Sequence, residues 1–407
     1  MKQWLWIPVA LGATVPGLAV WSSGAHPPDV AAAFIYGLAI VGSAFLLSWS
    51  LEVAEIDIPR ALAISVLAVV AVLPEYAIDV YLAWTAAYIP ENIALATANM
   101  TGANRLLIGI GWSLVVFLYW FKTRKRNLAI GGAASPALAI LLIATLYAFT
   151  IVLRGQLHLA DTLVLGALFC LFVWTNFKSK RVKAELVGPS ALIGALSTAK
   201  RRAVVIVLFV IAAGTILLMA EPFVESLKDT GHSLGLSEFL LIQWIAPMAS
   251  EAPEILLAVI FVLRGRGEDG IGILVSSKVN QWTLLVATLP AAYNISAGSL
   301  DGLLMDNRQV IEVFLTAAQS LFAVVLILKH FISVRGAVAL FGLFTVQLVQ
   351  QLVMEELAAP YDLEIRLGFS ILYVVLSVGI LVVDRRRIAE LTGIFRSLLP
   401  GKGEEPR

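Results

Sequence analysis

The sequence predicts an all-α polytopic membrane protein with about twelve transmembrane helices, whose two halves look like repeats of opposite orientation. Three observations support this prediction. Hydrophobic residues make up 59% of the 407 residues and only 14% are charged, which is too little polar surface for a water-soluble fold. Apolar runs repeatedly reach the roughly 20 residues that cross a bilayer. Basic residues collect between alternate runs, as expected when loops alternate between two sides of a membrane.

Twelve apolar runs are long enough to be spans. They lie near residues 4–21, 31–50, 61–88, 93–118, 133–153, 159–177, 203–222, 236–263, 270–294, 309–328, 336–353 and 367–383. Every basic cluster follows an even-numbered run, so both termini are predicted to lie in the cytoplasm. The first run follows Lys2 and has no clean cleavage site before His26. We therefore favour a retained span over a signal peptide there.

A basic linker divides the chain into two halves. It covers residues 178–202 and contains the turn-forming sequence Gly188-Pro189-Ser190. The predicted organisation has five parts, described here by residue number. They are an additional N-terminal helix (1–30), a first inverted repeat (31–177), the cytoplasmic linker (178–202), a second inverted repeat (203–355), and an additional C-terminal helix with a cytoplasmic tail (356–407).

Two proline-glutamate pairs lie inside membrane-length runs. Pro74-Glu75 is in the third run and Pro253-Glu254 is in the eighth. A carboxylate in the bilayer costs at least a few kcal/mol and persists where it faces a wet cavity, a partner or an ion. Each proline removes a backbone donor and is expected to break the helix, which frees carbonyl oxygens as ligands. The combination, present twice, predicts an ion site.

After each glutamate a short connection leads into a span rich in small, hydroxyl and amide side chains. These residues are Thr97, Asn99, Thr101, Gly102 and Asn104 in the first half, and Ser276, Ser277, Lys278, Asn280 and Gln281 in the second. By the span count the first Pro-Glu helix runs outward and the second runs inward. Inverted repeats of this kind are typical of transporters whose site lies at the membrane midplane.

These paired segments resemble the two alpha repeats of the sodium/calcium exchanger family, within the cation/calcium antiporter superfamily. The family repeats read roughly G-T-S-x-P-E and then G-N-x-x-G-S-N-x-x-N, and the match covers about residues 40–118 and 215–294. The resemblance implies two inverted five-helix repeats plus flanking helices. It also implies alternating-access exchange of Ca²⁺, or a related cation, against Na⁺ or H⁺, with Glu75 and Glu254 as the central metal ligands. Further cation-binding candidates are Ser250, Glu251, Asn99, Asn104, Ser277 and Gln281.

The sequence departs from the family pattern at several positions. Ala71 and Val72 replace hydroxyl residues before the first Pro-Glu pair, whereas Ser250 and Glu251 precede the second. In the first repeat, either Gly102-Ala103-Asn104 is the G-S-N element or Asn104 is the final asparagine. Lys278 stands where an asparagine is expected.

The Lys278 ammonium would occupy the space and charge of one cation in a midplane cavity. We therefore predict that it substitutes for a bound sodium or takes part in proton coupling, and that it points at Glu251 or Glu254. Two alternative functions remain open on the sequence. One is a proton-coupled cation antiporter without Ca²⁺ selectivity, and the other is a non-transporting membrane protein with a structural Glu-Lys network.

Other functional classes have less support. The chain has no H-E-x-x-H motif and no histidine near the two Pro-Glu pairs, so it is predicted not to be an enzyme. A chromophore linked to Lys278 has no other support in the sequence. The net charge of +1 argues against nucleic acid as a partner. The predicted partners are membrane lipid and inorganic cations, with no cofactor. The predicted location is a prokaryotic cell (inner) membrane.

Overall fold

The protein is an all-α, multi-pass integral membrane protein. The computed structural model describes residues 2–58, 68–70, 72–131, 134–178, 186–356 and 361–398. Within these residues, ten helices are long and apolar enough to cross a membrane by length and composition. The class predicted from hydropathy is therefore confirmed.

The helices are labelled in chain order. They are α1 (Trp6–Ser23), α2 (Asp29–Asp57), α3 (Leu73–Thr85), α4 (Asn92–Leu106), α5 (Ser113–Thr123), α6 (Ser135–Arg154), α7 (Leu159–Lys178), α8 (Pro189–Gly194), α9 (Thr198–Leu234), α10 (Glu238–Leu263), α11 (Gly267–Asn280), α12 (Val286–Ala297), α13 (Asn307–Ile327), α14 (Val334–Glu356), α15 (Asp362–Val383) and α16 (Arg386–Arg396). Short helical turns also occur at Lys2–Leu5 and Ala68–Val70.

In the part of the chain that the structure describes, two π-helical turns interrupt otherwise continuous helices. Leu107–Trp112 joins α4 to α5, and Gln281–Leu285 joins α11 to α12. Each turn follows the amide-rich segment of its half of the chain. Such turns insert an extra residue into the hydrogen-bond ladder and are frequent at functional sites.

Four short strands connect helix ends among the described residues. They are β1 (Asn127–Ala129), β2 (Gln156–Leu157), β3 (Leu303–Leu304) and β4 (Phe331–Ser333). β1 pairs antiparallel with β4, with Leu128 opposite Ile332. β2 pairs antiparallel with β3, with Leu157 opposite Leu303.

Ten of the twelve predicted runs coincide with membrane-length helices, with differences at their ends, whereas within the described residues runs 61–88 and 270–294 do not. The run 270–294 comprises most of α11, the second π turn and most of α12. α2 has 29 residues and α9 has 37, so both extend beyond the predicted runs. They continue because polar residues at membrane surfaces remain compatible with a helix even though they end an apolar run. The predicted third run, 61–88, contains α3. Residues 59–67 and 71 of that region lie outside the described residues.

The chain forms two compact units. The first contains Met1–Asn99 and Asn176–Glu254, and the second contains Met100–Thr175 and Ile255–Arg407. Each unit therefore combines segments from both halves of the sequence.

In the first unit, helices α1, α2 and α9 pack through small residues. A side chain at Gly42 would lie 2.7 Å from the carbonyl oxygen of Ala10, and one at Gly37 would lie 2.9 Å from the Phe223 ring. Lipid tails are as apolar as leucine, so close packing of backbones, rather than burial of apolar surface, favours association of helices in a membrane. The glycines permit that close approach.

In the second unit, α13 packs against α6 and α15, while α14 packs against α5 and the first π turn. Gly109 in that turn faces the Phe344 ring so closely that any side chain there would overlap it. Phe322 of α13 and Tyr373 of α15 are a further contact, with 5.6 Å between their ring centroids.

Candidate functional site

The first Pro-Glu pair lies at the beginning of a helix. α3 begins at Leu73 and Pro74 is in its first turn. Proline is well accommodated there because the first N–H groups of a helix have no partner within it. Glu75 follows directly and is only 1% exposed. Neither of its carboxylate oxygens accepts a hydrogen bond within the part of the chain that the structure describes.

The second Pro-Glu pair lies inside a continuous helix, so the predicted helix break at Pro253 is wrong. α10 runs from Glu238 to Leu263 through both Pro247 and Pro253. Proline removes one backbone donor, and the other hydrogen bonds of a 26-residue helix are enough to keep it continuous. The carbonyl of Ala249, four residues before Pro253, lacks the N–H partner that the ladder normally supplies.

The first unit brings the predicted acids into electrostatic contact. The Glu75 carboxylate interacts with those of Glu254, Glu251 and Asp79. Glu251 is fully buried and Glu254 is half-buried. Among the described residues, no group of three or more His, Cys, Asp or Glu side chains has the arrangement of a metal site. A calcium ion normally takes six to eight oxygen ligands, so one held by Glu75 and Glu254 would need further oxygens.

Asn99 and Ser250 are the neutral polar candidates of the first unit. The Asn99 amide donates a hydrogen bond of 2.8 Å from Nδ2 to Oδ1 of Asp79, and both side chains are buried. Asn99 Oδ1 and Asp79 Oδ2 have no hydrogen-bond partner within the described residues. The Ser250 hydroxyl donates to the carbonyl of Pro247 at 3.3 Å, which leaves its oxygen able to accept or coordinate.

The other four candidates lie in the second unit. Asn104, Ser277, Lys278 and Gln281 are all buried, and Gln281 begins the second π turn. The Lys278 ammonium donates to Asn104 Oδ1 at 2.6 Å and to the Asn104 carbonyl oxygen at 3.3 Å. It also lies 4.5 Å from the centroid of the Trp282 ring. The contact of Lys278 with Glu251 or Glu254 stays a prediction.

The sequence interpretation missed a buried charge network in the second unit. The Glu312 carboxylate on α13 forms an ion pair of 2.5 Å with Arg105 on α4 and a second ion pair with Arg366 on α15. All three side chains are no more than 1% exposed. Arg366 also bonds Asp362 at 2.5 Å and Glu355 at 3.4 Å. Arg105 and Glu312 were detectable as charges within apolar runs, a feature that marks intramembrane partners.

Arg105 directly follows Asn104, and Gln319 of α13 donates to the Arg105 carbonyl at 3.4 Å. The network therefore contacts α4 next to a candidate site residue. Arg366 brings α15 into the same cluster.

Comparisons with known proteins place the chain in a family. The sequence model described as sodium/calcium exchanger protein matches residues 30–178 and 204–353, which is more than half of the chain. Each match falls in one half of the sequence, and α1 and α15 lie outside both. Comparison with curated proteins gave no match.

Solved structures agree with this result. A structure described as the H⁺/Ca²⁺ exchanger CAX is 42% identical in sequence, with a TM-score of 0.90, and the alignment covers 98% of each chain. A structure of the Ca²⁺/H⁺ antiporter protein YfkE is 14% identical, with a TM-score of 0.61 over 85% of this chain and 99% of that one. A structure of the sodium-calcium exchanger NCX_Mj is 17% identical, with a TM-score of 0.51 over 79% and 97%. The last two show similarity of fold alone. The chain belongs to the sodium/calcium exchanger protein family.

Proposed function

We propose that the protein is a calcium antiporter that exchanges Ca²⁺ for protons by alternating access. The observation that carries this proposal is the carboxylate cluster of the first unit, where the buried Glu75 interacts electrostatically with the buried Glu251 and the half-buried Glu254. Three negative charges so close together, two of them buried, are costly without compensation. The cluster is therefore expected to hold either a divalent cation or protons.

The choice of protons as the counter-ion has separate support. The 42% identical relative is described as an H⁺/Ca²⁺ exchanger. Lys278, which stands where the family pattern has an asparagine, also places an ammonium at an Asn104 oxygen. A fixed positive charge in such a polar pocket disfavours a bound sodium ion there. Closely spaced carboxylates bind protons as a coupled set, which allows two protons to balance one Ca²⁺.

Specific roles follow for the candidate residues. Glu75 and Glu254 are the proposed calcium ligands, and Glu251 contributes a third negative charge. Neutral oxygens complete the coordination, since Ca²⁺ prefers hard oxygen ligands of mixed type. Ser250 and Asn99 are the proposed neutral contributors in the first unit, and Asn104, Ser277 and Gln281 are proposed cation-binding residues of the second unit. The proposed location is a prokaryotic cell membrane, with both termini in the cytoplasm and membrane lipid as the surroundings.

The test is calcium uptake into proteoliposomes that contain the purified protein. We expect a proton gradient to drive uptake and an equal sodium gradient to have little effect. Glu75→Gln and Glu254→Gln should each abolish uptake, because each removes one charge from the ligand set. Glu221→Gln is the matched control, since Glu221 is an exposed acid on the membrane-length helix α9.

Three results would contradict the proposal. Uptake that persists in both Glu75→Gln and Glu254→Gln would exclude the carboxylate cluster as the site. Uptake driven by sodium and unaffected by the proton gradient would replace the proposed counter-ion with sodium. Proton-driven flux of other cations with no response to Ca²⁺ would favour the antiporter without calcium selectivity.

A further inference from the structure

The last described helix, α16, follows the membrane-length helix α15 and carries an apolar stripe. α15 ends at Val383 and α16 begins at Arg386, so α16 starts at the level of a membrane surface. Its apolar side chains recur at helical spacing, which places them on one side. They are Ile388, Leu391, Phe395 and, just beyond the helix, Leu398.

Ile388 and Phe395 of this stripe are exposed, and Leu391 and Leu398 are half-buried. Ile388 is 48% exposed and Phe395 is 38% exposed, whereas the neighbouring Ile394 is fully buried. α16 packs against α6. One edge of the helix is therefore attached to the second unit, and the adjacent apolar edge remains open.

Polar contacts hold α16 in this orientation. The Arg387 guanidinium donates from Nη1 to the carbonyl oxygens of Val325 and Leu326, at 2.6 and 2.9 Å. These carbonyls are in the last turn of α13, where they have no N–H partner within the helix. Asp384 forms ion pairs with Lys329 and, at 3.3 Å, with Arg387. The exposed stripe is therefore on a fixed element.

The remaining basic residues of this region are exposed. Arg385, Arg386 and Arg396 form no ion pair among the residues that the structure describes. The helix carries one acid, Glu390, which is also exposed. An exposed apolar stripe flanked by an excess of arginines, directly after a spanning helix, has the composition of a segment that lies in the membrane interface.

We propose that α16 docks on the surface of the membrane and binds anionic lipid headgroups. In this arrangement Ile388 and Phe395 enter the boundary between headgroups and acyl chains, and Arg385, Arg386 and Arg396 contact phosphate groups. Each arginine near an anionic surface strengthens binding about fivefold. The proposal does not depend on which ions the protein exchanges.

The test uses a fluorescent label at a single cysteine. The only cysteine of the chain is Cys170, so Cys170→Ala provides the background. An environment-sensitive fluorophore is attached at Phe395→Cys on the apolar stripe, or at Ala389→Cys, an exposed position on another side of α16. The full-length protein is reconstituted in vesicles of phosphatidylcholine, with or without phosphatidylglycerol.

With phosphatidylglycerol present, the label at position 395 should show blue-shifted emission and quenching by nitroxide-labelled lipid. The label at position 389 should show neither effect. Replacing Arg385, Arg386 and Arg396 together by Gln should abolish the preference for phosphatidylglycerol. Each arginine that is lost should weaken the binding of α16 to the anionic surface about fivefold. Glu390→Gln should increase that preference.

Three results would overturn the proposal. The first is quenching of the 395 label by an aqueous quencher in phosphatidylglycerol vesicles. The second is equal behaviour in both lipid compositions that the triple arginine variant does not change. The third is protection of the 395 label in dilute detergent together with cross-linking between two copies, which would assign the stripe to a protein interface. Each readout is independent of calcium transport.

Discussion

The Lys278 ammonium donates a hydrogen bond of 2.6 Å to the Asn104 side-chain oxygen inside the second unit. Asn104 belongs to the amide-rich segment of the first half of the chain, and Lys278 belongs to that of the second. An asparagine oxygen that would otherwise be available to a cation thus binds a positive charge supplied by the protein itself. This contact has a direct consequence for ion coupling.

Changing Lys278→Asn should make calcium uptake sensitive to sodium, because it removes the fixed ammonium and leaves the Asn104 oxygen without that donor. The measurement is calcium uptake into proteoliposomes with sodium or choline as the external cation. Lys228→Asn is the control, since Lys228 pairs with Glu225 at 3.0 Å in the other unit. If the unmodified protein already depends steeply on sodium, the idea that Lys278 substitutes for that ion is wrong.

Glu312→Gln should destabilise the protein by about 3–5 kcal/mol, because it leaves two buried guanidinium groups without their shared carboxylate. Glu312 pairs with Arg105 and Arg366. Thermal unfolding in detergent, followed by tryptophan fluorescence, measures the effect. The control is Glu364→Gln, which changes an exposed acid on α15. Equal unfolding temperatures for the two variants would show that the network contributes little to stability.

Gly42→Ala should weaken the packing of α1 on α2 by about 1–3 kcal/mol, as overpacking does in other close-packed interiors. The new methyl group would lie 2.7 Å from the backbone carbonyl oxygen of Ala10. A backbone atom cannot relieve this overlap by a change of rotamer, as the end of a side chain could. Gly214→Ala on α9 is the matched control, because within the described residues no atom other than the neighbouring backbone of α9 itself lies within 4 Å of a methyl group there. The same unfolding assay should show the control unchanged or slightly stabilised, since alanine favours a helix. An equal loss of stability in both variants would show that the replacement of a glycine, and not the overlap with Ala10, causes the effect.

Asp384 should make the attachment of α16 sensitive to acid. The Lys329 ammonium bonded to it lowers the pKa of the Asp384 carboxyl below its ordinary value. A lowered pKa in the folded state means that the ion pair stabilises the fold at neutral pH. That contribution declines as the pH falls below the unfolded pKa of about 4 and through the lower folded pKa.

The measurement for Asp384 compares the unfolding temperature of the unmodified protein and of Asp384→Asn as the pH is lowered. At neutral pH the variant should be the less stable of the two, and the difference should shrink toward zero in acid. A difference that stays constant with pH would show that the carboxylate charge does not contribute.

Much of the molecule could be predicted from local features of the sequence. The membrane class, the approximate limits of ten of the twelve predicted spans and membership in an exchanger family rather than an enzyme class are confirmed. These features can be predicted from hydropathy and from the Pro-Glu pairs, because each feature depends only on residues that are close together in the sequence. The predicted break at Pro253 was wrong because one missing donor does not outweigh the other hydrogen bonds of α10.

The π turns and the arginine network were not predicted, for different reasons. A π turn changes the hydrogen-bond register without changing the composition of a run. The partners Arg105, Glu312 and Arg366 lie far apart in the chain and on three helices. Their pairing depends on which side of each helix faces the next. An apolar run does not specify that side, because apolar residues occur on every side of a membrane-spanning helix.

The sequence by itself determined that this protein spans the membrane many times and carries two Pro-Glu sites in halves of related pattern. The hydropathy of a segment and the placement of its charges are the same whatever the segment packs against. Only the tertiary structure decided that Glu75 interacts with Glu251 and Glu254, and that Lys278 binds Asn104. Each residue turns the helix by about 100°, so contacts between distant segments depend on helix rotations that are set by packing.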